Sequence, residues 1–469
     1  MANNMAIETP IINTQVNSFR DKVSLALIVF MSFFLMADMY ITPAIIPELS
    51  QEYGVSADSI GWAGTAFMLL GAIMGLVFGH YNDRISRKKL LIIAVAVGEV
   101  PCLLTGIAGI TYNFEMFVIM RTLTGFGIGG IYPITFSLLA DYVSDKNRAK
   151  ASAMVDIAWG LGIMSGPILA SYALSTDYGW RLAFVLAALP SFPLILIYWF
   201  VATEPKRGRN EVGVESETET ETENGADHNK ASNDSNAKFS FTQFKTVFSN
   251  KTNLLLFLQG IPGSIPWGLL PFWIITFFRE ERGFSAEDAT MIWEVFGIAT
   301  VVGGLMWAVC GDWLFKRRAK YVSILCSVVI LLGMIPEYIL LNVEFAQQSS
   351  YWALAIMGGL FISVGSSNVR ALLMNVNSPS QRGKVFSMYN FFDSIGKGAG
   401  PAIGGLILAT TNDYQLMVNI AISFWLICAL IFSGTIFTVE KDRKNMLAKQ
   451  SPNNTSPINK SPKNKNQEI

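Results

Sequence analysis

The amino-acid sequence predicts an all-α membrane protein in which twelve transmembrane helices form two pseudo-symmetric halves of six. Three observations predict this fold class: the composition, the spacing of long apolar stretches and an internal repeat. Of the 469 residues, 51% are hydrophobic and only 15% are charged, with a mean hydropathy of +0.40. Because soluble domains carry about 25% charged residues, this composition argues against a cytosolic enzyme.

Apolar stretches of about 20 residues, the length that a helix needs to cross the hydrocarbon core, recur along the whole chain. The twelve predicted spans cover residues 23–46, 60–78, 90–110, 114–140, 149–174, 180–201, 252–278, 289–313, 320–341, 351–376, 385–410 and 414–439.

Polar, low-complexity sequence separates and flanks the spans, and such sequence cannot bury a core. We therefore predict five regions: an N-terminal tail (1–22), a six-helix half (23–203), a largely disordered linker (204–250), a second six-helix half (251–439) and a disordered tail (440–469).

The placement of basic residues predicts the orientation, since Lys and Arg are retained on the cytoplasmic side of a membrane. With the N-terminus inside, 29 of the 35 basic residues lie in cytoplasmic segments and only three in outer loops. We therefore expect a multi-pass protein of the cell membrane with both termini and the linker in the cytoplasm.

Composition also speaks against other classes of function. The 35 basic residues balance 35 acidic ones, so no basic field indicates binding to nucleic acid. The four cysteines lie inside apolar stretches and only two histidines are present, so we expect neither a metal site nor a cofactor.

An internal repeat relates the two halves. The segments 83–89 and 312–318 each begin with Asp and carry basic residues at the same three offsets, 229 residues apart. The segments 162–167 in span 5 and 396–401 in span 11 share the pattern Gly-x3-Gly-Pro, 234 residues apart. Corresponding spans run in the same direction, so the halves are predicted to be parallel repeats about an axis along the membrane normal.

Several motifs resemble those of the major facilitator superfamily. GHYNDRISRK (79–88) is similar to its loop signature between spans 2 and 3, R-x3-G-x-G (121–127) matches a second signature, and G-P-x2-G-G (400–405) a third. Within the superfamily, QGIPGSIPWG (259–268) and the segment 375–401 look like the spinster-like branch.

This resemblance implies a secondary transporter, not an enzyme, that works by alternating access. The branch exports or flips small amphipathic substrates such as lysolipids, in some members coupled to protons. An exporter of drugs or small metabolites is the alternative, and a non-transporting membrane receptor is a remote one. The expected partners are the substrate, membrane lipid and protons, and the expected state is a monomer.

The loop after span 2 is predicted to form a cytoplasmic gate. Asp83 can accept hydrogen bonds from free amides at the N-terminus of span 11, and Arg84, Arg87 and Lys88 can pair with Asp141 at the end of span 4. The resemblance implies that these contacts hold an outward-open state, whereas the alternative is that the basic residues only set the topology. The gate further includes Gly79 and the second-half residues Asp312, Lys316 and Arg317.

Ionisable residues inside spans cost roughly 2.5 to 3.5 kcal/mol each, so each is a candidate for proton coupling or for the substrate cavity. Asp38, near the middle of span 1, is either a proton-coupling carboxylate or a fixed partner of Arg121. Arg121 either binds an anionic headgroup or pairs with Asp38 or Glu99. The candidates are Asp38, Arg121, Asp156, Glu294, Arg370, Asp393 and Lys397.

Three further features complete these expectations. Asp393 and Lys397 are four residues apart in span 11, so they are expected to pair on one helix face. Glu99 and Glu337 rank lower, because the resemblance places spans 3 and 9 on the outside of the bundle. Small residues and prolines are expected at close helix contacts and bends: Gly125, Gly127, Gly162, Gly166, Pro167, Gly396, Gly400 and Pro401.

Overall fold

The computed structural model describes residues 19–82, 84–143, 145–205 and 247–450. All regular secondary structure in these ranges is helical. The helices are α1 (Phe19–Met39), a 3₁₀ turn (Thr42–Ile45), α2 (Ile46–Tyr53), α3 (Ala57–Asn82), α4 (Arg87–Thr105), α5 (Phe114–Tyr142), α6 (Asp145–Leu174), α7 (Arg181–Ala188), α8 (Ser191–Val201), α9 (Lys251–Glu280), α10 (Ala286–Arg317), α11 (Ala319–Asn342), α12 (Gln348–Ile362), α13 (Gly365–Val376), α14 (Pro379–Thr411), α15 (Tyr414–Ser433) and α16 (Thr435–Gln450).

Local sequence explains where many of these helices begin. A Ser, Asn or Asp stands immediately before the helix, and its side chain accepts a hydrogen bond from the backbone N–H three residues later. This N-cap satisfies an amide that has no partner within the helix. The residues with this role are Ser86, Asn113, Asn250, Ser285 and Asp413.

Ten helical segments among the described residues are long and apolar enough to cross a membrane. Two helices that cover predicted spans, α4 and α14, are absent from these ten. The sequence of α4 includes Lys88, Lys89 and Glu99, and α14 combines Lys397 with several glycines, so both are less apolar than the rest.

The first part of the predicted disordered tail is helical. Residues 440–450 continue α16 as helix, whereas 451–469 lie outside the described residues. Contacts with the bundle explain the difference: Asp442 accepts hydrogen bonds from the backbone N–H and the hydroxyl of Thr252, at 2.9 and 2.8 Å, and the Arg443 guanidinium lies 4.6 Å from the ring centre of Phe315.

Small residues allow the helices to approach at backbone distance. A Cβ at Gly127 of α5 would overlap the backbone of Gly98 in α4, and one at Gly162 or Gly166 of α6 would overlap the backbone of α1. In the same way Gly400 of α14 lies against the backbone of α9, as does Gly396, and Gly125 of α5 lies against α3. The glycines singled out from the sequence thus lie at backbone contacts between helices.

The bundle has two ends, which we name by their loops. The linker end holds Pro205 and Val247, and the far end holds the turns 54–56 and 281–285. Helices that precede the linker pack mainly on one another, α1 with α6 and α5 with both α3 and α4. Those that follow it do likewise, α9 with α14 and α15, and α12 with α10 and α11. The two groups meet mainly through α3 with α14, α6 with α10, and the 3₁₀ turn with α9.

At the far end these two groups are in direct contact. The Thr65 hydroxyl of α3 accepts a hydrogen bond from the Ala402 N–H of α14 at 3.0 Å. The hydroxyls of Ser171 in α6 and Thr290 in α10 lie 3.0 Å apart. Arg279, at the end of α9, forms an ion pair with Glu48 of α2 at 2.6 Å. The far end is therefore closed.

Toward the linker end the same helix faces separate. Leu76 lies on the face of α3 that carries Thr65 and is 70% exposed, and Phe391 lies on the corresponding face of α14 and is 51% exposed. On α6 and α10 the equivalent positions are Ile157, 60% exposed, and Val301, 58% exposed. Because the helices touch at one end and part at the other, a cavity opens toward the linker end.

The backbone contact at Gly127 generates a prediction about stability. Gly127→Ala should lower the free energy of unfolding in detergent by about 1–3 kcal/mol, because the new methyl group meets the α4 backbone, which cannot move aside as a flexible side chain can. Thermal or denaturant unfolding measures the change.

Gly160→Ala is the matched control. A Cβ at Gly160 of α6 meets no atom within 4 Å, so alanine should be neutral or stabilise by roughly 0.5–1 kcal/mol through helix propensity. Equal destabilisation by both substitutions would show that backbone proximity is not what Gly127 provides.

Candidate functional site

A cluster of buried charges lies where α1, α4, α5 and α8 meet. Nη1 of Arg121 donates a hydrogen bond to Oδ1 of Asp38 at 2.7 Å, and both side chains are buried. The guanidinium also lies 5.2 and 4.9 Å from the ring centres of Phe67 and Phe184, where the negative faces of the rings favour a cation. In this conformation Asp38 is thus a partner of Arg121, the second of the two roles that the sequence left open.

Glu99 belongs to the same cluster. The resemblance implied that span 3 lies on the outside of the bundle, but the structure buries Glu99 completely. One carboxylate oxygen accepts a hydrogen bond from the Ser191 hydroxyl of α8 at 2.8 Å, and its charge interacts with Asp38 and Arg121. Glu99 is internal because α4 presents it toward α8 one residue after Gly98, which contacts α5.

A small cavity adjoins Arg121 between α1, α3, α5 and α9. Its wall includes Tyr40, Phe67, Phe117 and Phe272, so apolar rings surround the guanidinium. The guanidinium N–H groups of Arg121 are suited to bind a carboxylate or phosphate in this cavity once the ion pair with Asp38 is broken.

A second pair of charges faces the open cavity. Asp156 of α6 and Arg370 of α13 are both exposed, and their charges interact across the space between the two groups of helices. The positive charge of Arg370 also interacts electrostatically with the Tyr389 side chain of α14. Asp156 and Arg370 present both signs of charge, one on a helix of each group.

Asp393 and Lys397 form the ion pair that their spacing predicts, with Nζ and Oδ2 2.8 Å apart. The other oxygen of Asp393 accepts a hydrogen bond from the Ser264 hydroxyl of α9. Lys397 remains half exposed. The pair therefore links α14 to α9 and neutralises its own charge.

Two buried carboxyl groups lack such partners. Glu294 of α10 is 6% exposed, and neither of its oxygens accepts a hydrogen bond from any described residue. Glu337 of α11 is also buried, against Gly358 of α12, and one of its oxygens has no hydrogen-bond partner in the described chain. Within the described ranges, no three His, Cys, Asp or Glu side chains are grouped so that they would hold a metal ion.

The predicted gate is present in part. Arg87 forms an ion pair with Asp141 of α5 and donates a hydrogen bond to the Ser137 carbonyl at 3.3 Å. Lys88 does not reach Asp141, contrary to the sequence prediction. Its ammonium donates to the carbonyls of Trp199 and Ala202 at 2.7 and 2.5 Å, because the start of α4 turns this side chain toward the end of α8.

The remaining gate residues have simpler surroundings. Asp83 lies outside the described residues, and Arg84 is exposed. A Cβ at Gly79 would lie 3.9 Å from the side chain of Pro133 in α5, its nearest neighbour among the described residues. In the second half Asp312, Lys316 and Arg317 are exposed, and the Arg317 guanidinium lies 3.9 Å from the ring centre of Trp313.

Glu204 makes a structural contact that the sequence did not predict. It accepts hydrogen bonds from the Ser86 hydroxyl at 2.6 Å and from the backbone N–H groups of Arg87 and Lys88, both at 2.9 Å. It therefore caps α4 from a position 117 residues away. A carboxylate directly after span 6, on the side where span 3 begins, is the signal that would have indicated it.

The geometry sets the charge state of Glu204. Burial pushes its pKa upward, but the hydrogen bonds from Ser86, Lys88 and Arg87 outweigh burial and leave the pKa below its ordinary value of 4.5. The N-terminus of α4 thus binds the ionised form of the Glu204 carboxylate.

The Asp38–Arg121 pair predicts a large effect of removing one partner. Asp38→Asn should lower the free energy of unfolding by about 3–5 kcal/mol, because it leaves the guanidinium buried without a counter-charge. Asp38→Asn with Arg121→Met should recover most of this loss. Unfolding in detergent measures both, and Asp177→Asn, at an exposed far-end turn, is the control. A single variant as stable as the control would contradict a stabilising pair.

The cap at Glu204 predicts a pH dependence. Because its pKa is lower in the folded than in the unfolded chain, its stabilisation is present above about pH 4.5 and is lost as the pH falls through the folded-state pKa. Glu204→Gln should destabilise by about 1 kcal/mol at neutral pH and remove this part of the acid dependence. The exposed Glu280→Gln is the control, and an unchanged acid profile in Glu204→Gln would refute the cap.

Comparison with known proteins identifies the fold. Residues 28–343 and 335–464 match the Major Facilitator Superfamily. Protein spinster homolog 1 of Xenopus tropicalis is 24% identical over 460 residues, which cover 91% of this chain and 83% of that protein. The cis,cis-muconate transport protein of Acinetobacter baylyi is 24% identical over 310 residues, which cover 64% of this chain and 68% of that protein.

A solved structure is similar over nearly the same length. It is a bacterial homolog of the human lysosomal transporter spinster in an inward-facing and unoccupied conformation, with a TM-score of 0.76 and 17% identity, covering 91% of this chain and 99% of that chain. The proteins with which it shares family and fold are transporters, not enzymes. This chain is an integral multi-pass membrane protein that belongs to the Major Facilitator Superfamily and resembles its spinster-like branch.

Proposed function

We propose that this protein is a secondary transporter that moves a small amphipathic, lysolipid-like substrate by alternating access, coupled to protons. One observation carries the proposal: the two groups of helices touch at the far end and separate at the linker end, with Asp156 and Arg370 facing the opening. A binding site between two bodies that can rock is the arrangement that alternating access requires.

The proposed architecture has twelve spans in two six-helix halves, 23–203 and 251–439. The ten apolar segments support it, and α4 and α14 supply the remaining two spans. A transmembrane helix needs about 17–25 residues, so the 19 residues of α4 and the 33 residues of α14 are each long enough to cross the hydrocarbon core. The Glu99 carboxylate of α4 accepts a hydrogen bond from Ser191, and Lys397 of α14 pairs with Asp393.

The proposed orientation places both termini and the linker in the cytoplasm of a cell-membrane protein. The concentration of Lys and Arg in segments at the linker end supports it. The cavity then opens to the cytoplasm and the far end closes the outer side, so the conformation described here is inward-facing. The ion pair between Arg279 and Glu48 would hold that outer side shut.

A substrate with both an apolar chain and a charged headgroup fits the opening. Exposed apolar side chains such as Leu76 and Val301 line the separating faces, while Arg370 offers a guanidinium to an anionic group. We also propose that the protein is a monomer and that its other partner is the surrounding membrane lipid. The muconate transport protein supports the alternative that a drug or small metabolite is the substrate.

Several predicted residues take proposed roles in this cycle. Asp38 and Arg121 form a pair whose release would free the guanidinium for substrate or a carboxylate for a proton. Arg87 and Asp141 fasten the loop after α3 to α5, and the gate that they form with Asp83 would close the cytoplasmic side in the outward-open state.

Transport by the purified protein in vesicles tests the proposal. We expect a fluorescent lysophospholipid to cross the bilayer faster when a pH gradient is imposed, and Arg370→Gln to bind it about 10- to 100-fold more weakly through loss of a charge-assisted hydrogen bond. Lys441→Gln, an exposed positive charge outside the opening, is the matched control.

Two outcomes would contradict this proposal. Movement that is the same in protein-free vesicles would refute transport of this substrate, and a screen for ligands that raise thermal stability would then identify a drug or metabolite instead. A rate of substrate movement that does not change when the pH gradient is imposed would refute proton coupling.

A further inference from the structure

Glu294 occupies a particular place between the two groups of helices. It lies four residues after Thr290, so both side chains are on one face of α10. The Thr290 hydroxyl contacts Ser171 of α6 at 3.0 Å, and the Ser171 hydroxyl donates to the Ala286 carbonyl at 3.2 Å. Glu294 is therefore on the face of α10 that meets α6, one turn closer to the linker end than the contact.

The separation of α6 and α10 begins just beyond Glu294. Val301, seven residues later on the same face, is more than half exposed, as is Ile157 on the facing side of α6. Glu294 itself is buried. It is thus a buried position on this face, between the contact of Thr290 with Ser171 and the exposed Val301.

The surroundings of Glu294 supply no partner among the described residues. Neither oxygen accepts a hydrogen bond, and no other charge acts on the carboxyl group. Described titratable and charged groups on the helices packed against α10 have other partners or lie at a distance. Asp156 precedes Ser171 by 15 residues, about 22 Å along α6, and Glu294 lies about 6 Å in the same direction, so the two are roughly 16 Å apart along the helices. The other groups are Arg370 with Asp156, Arg279 with Glu48, Glu337 against Gly358, Tyr351 within an aromatic cluster, and the exposed Tyr172.

An ionised carboxylate in such a position costs several kcal/mol, and a bound proton removes that cost. When α6 and α10 part at the far end, water reaches the side chain and the ionised form becomes stable. We propose that Glu294 binds the proton whose uptake and release accompany closure and opening of the far end. The inference rests on the proposed alternating-access function and assigns the coupling step to a group that no counter-charge neutralises.

The consequence is a linkage between pH and conformation. Protonation favours the far-end-closed conformer, so acid should populate it and alkali should populate the open one. A single linked proton changes the ratio of the two conformers by at most about tenfold per pH unit. The carboxamide of Glu294→Gln resembles the protonated group and should favour the closed conformer at every pH.

Distances across the far end test this. Spin labels at Asp177 and Glu281, exposed residues on turns from the two groups of helices, report opening in the full-length reconstituted protein. We expect the long-distance population of the wild type to grow between about pH 5 and about pH 8. Glu294→Gln should keep the short distance throughout, whereas Glu294→Asp, which retains a titratable group, should shift like the wild type.

Glu337→Gln is the matched control, because Glu337 is also buried with an unpartnered oxygen but lies between α11 and α12, which belong to one group. It should shift as the wild type does. A pH shift that persists in Glu294→Gln, is lost equally in Glu337→Gln, or is missing from the wild type would overturn the inference.

Transport in the same vesicles separates this inference from the proposed function. Gradient-driven substrate movement in the wild type that persists in Glu294→Gln leaves the function standing and rejects the role of Glu294. Absence of substrate movement in the wild type rejects the proposed function, whatever the distances show.

Discussion

An ionised side chain among apolar helices is stable only when a second charge or a proton neutralises it, and this constraint governs the interior of the protein. Asp38 is neutralised by Arg121, Asp141 by Arg87, and Asp393 by Lys397. The first two pairs connect α1 and α4 to α5, and Asp393 also accepts a hydrogen bond from Ser264 of α9. These charged residues therefore also hold neighbouring helices together. At Glu294 no second charge is present among the described residues, and we propose that a bound proton takes its place.

Close backbone contact makes this arrangement possible. Because Gly98 and Gly127 bring α4 against α5, Glu99 lies close enough to Asp38 and Arg121 for their charges to interact. The contact between the two groups at the far end has the same origin, since Gly61 of α3 lies against the backbone of Pro401 in α14. Small residues of this kind allow the backbones of two helices to approach closely.

Features that depend on local sequence were accessible without the structure. The helices follow from apolar stretches of sufficient length, and the Asp393–Lys397 pair follows from a spacing of four residues. Contacts between distant segments were not accessible in the same way. Glu204 binds the start of α4 although more than a hundred residues separate the two in sequence. The hydrogen-bond partners of the Lys88 ammonium depend on where α8 ends. The helix at 440–450 was missed because polar residues there are held by contacts with α9 and α10 rather than by their own hydropathy.

The location of a buried carboxylate matters more for coupling than its burial does. Asp38, Glu99 and Arg121 all lie on helices that precede the linker, so a rigid movement of one proposed half against the other leaves their mutual distances unchanged. The cavity beside Arg121, whose wall includes Phe272 of α9, connects that cluster to the second half. Glu294 differs because it lies on the face of α10 that meets α6, an interface that opens in the proposed cycle. A proton there would respond directly to the proposed movement, whereas a proton in the Asp38 cluster would respond only after the ion pair itself had been broken.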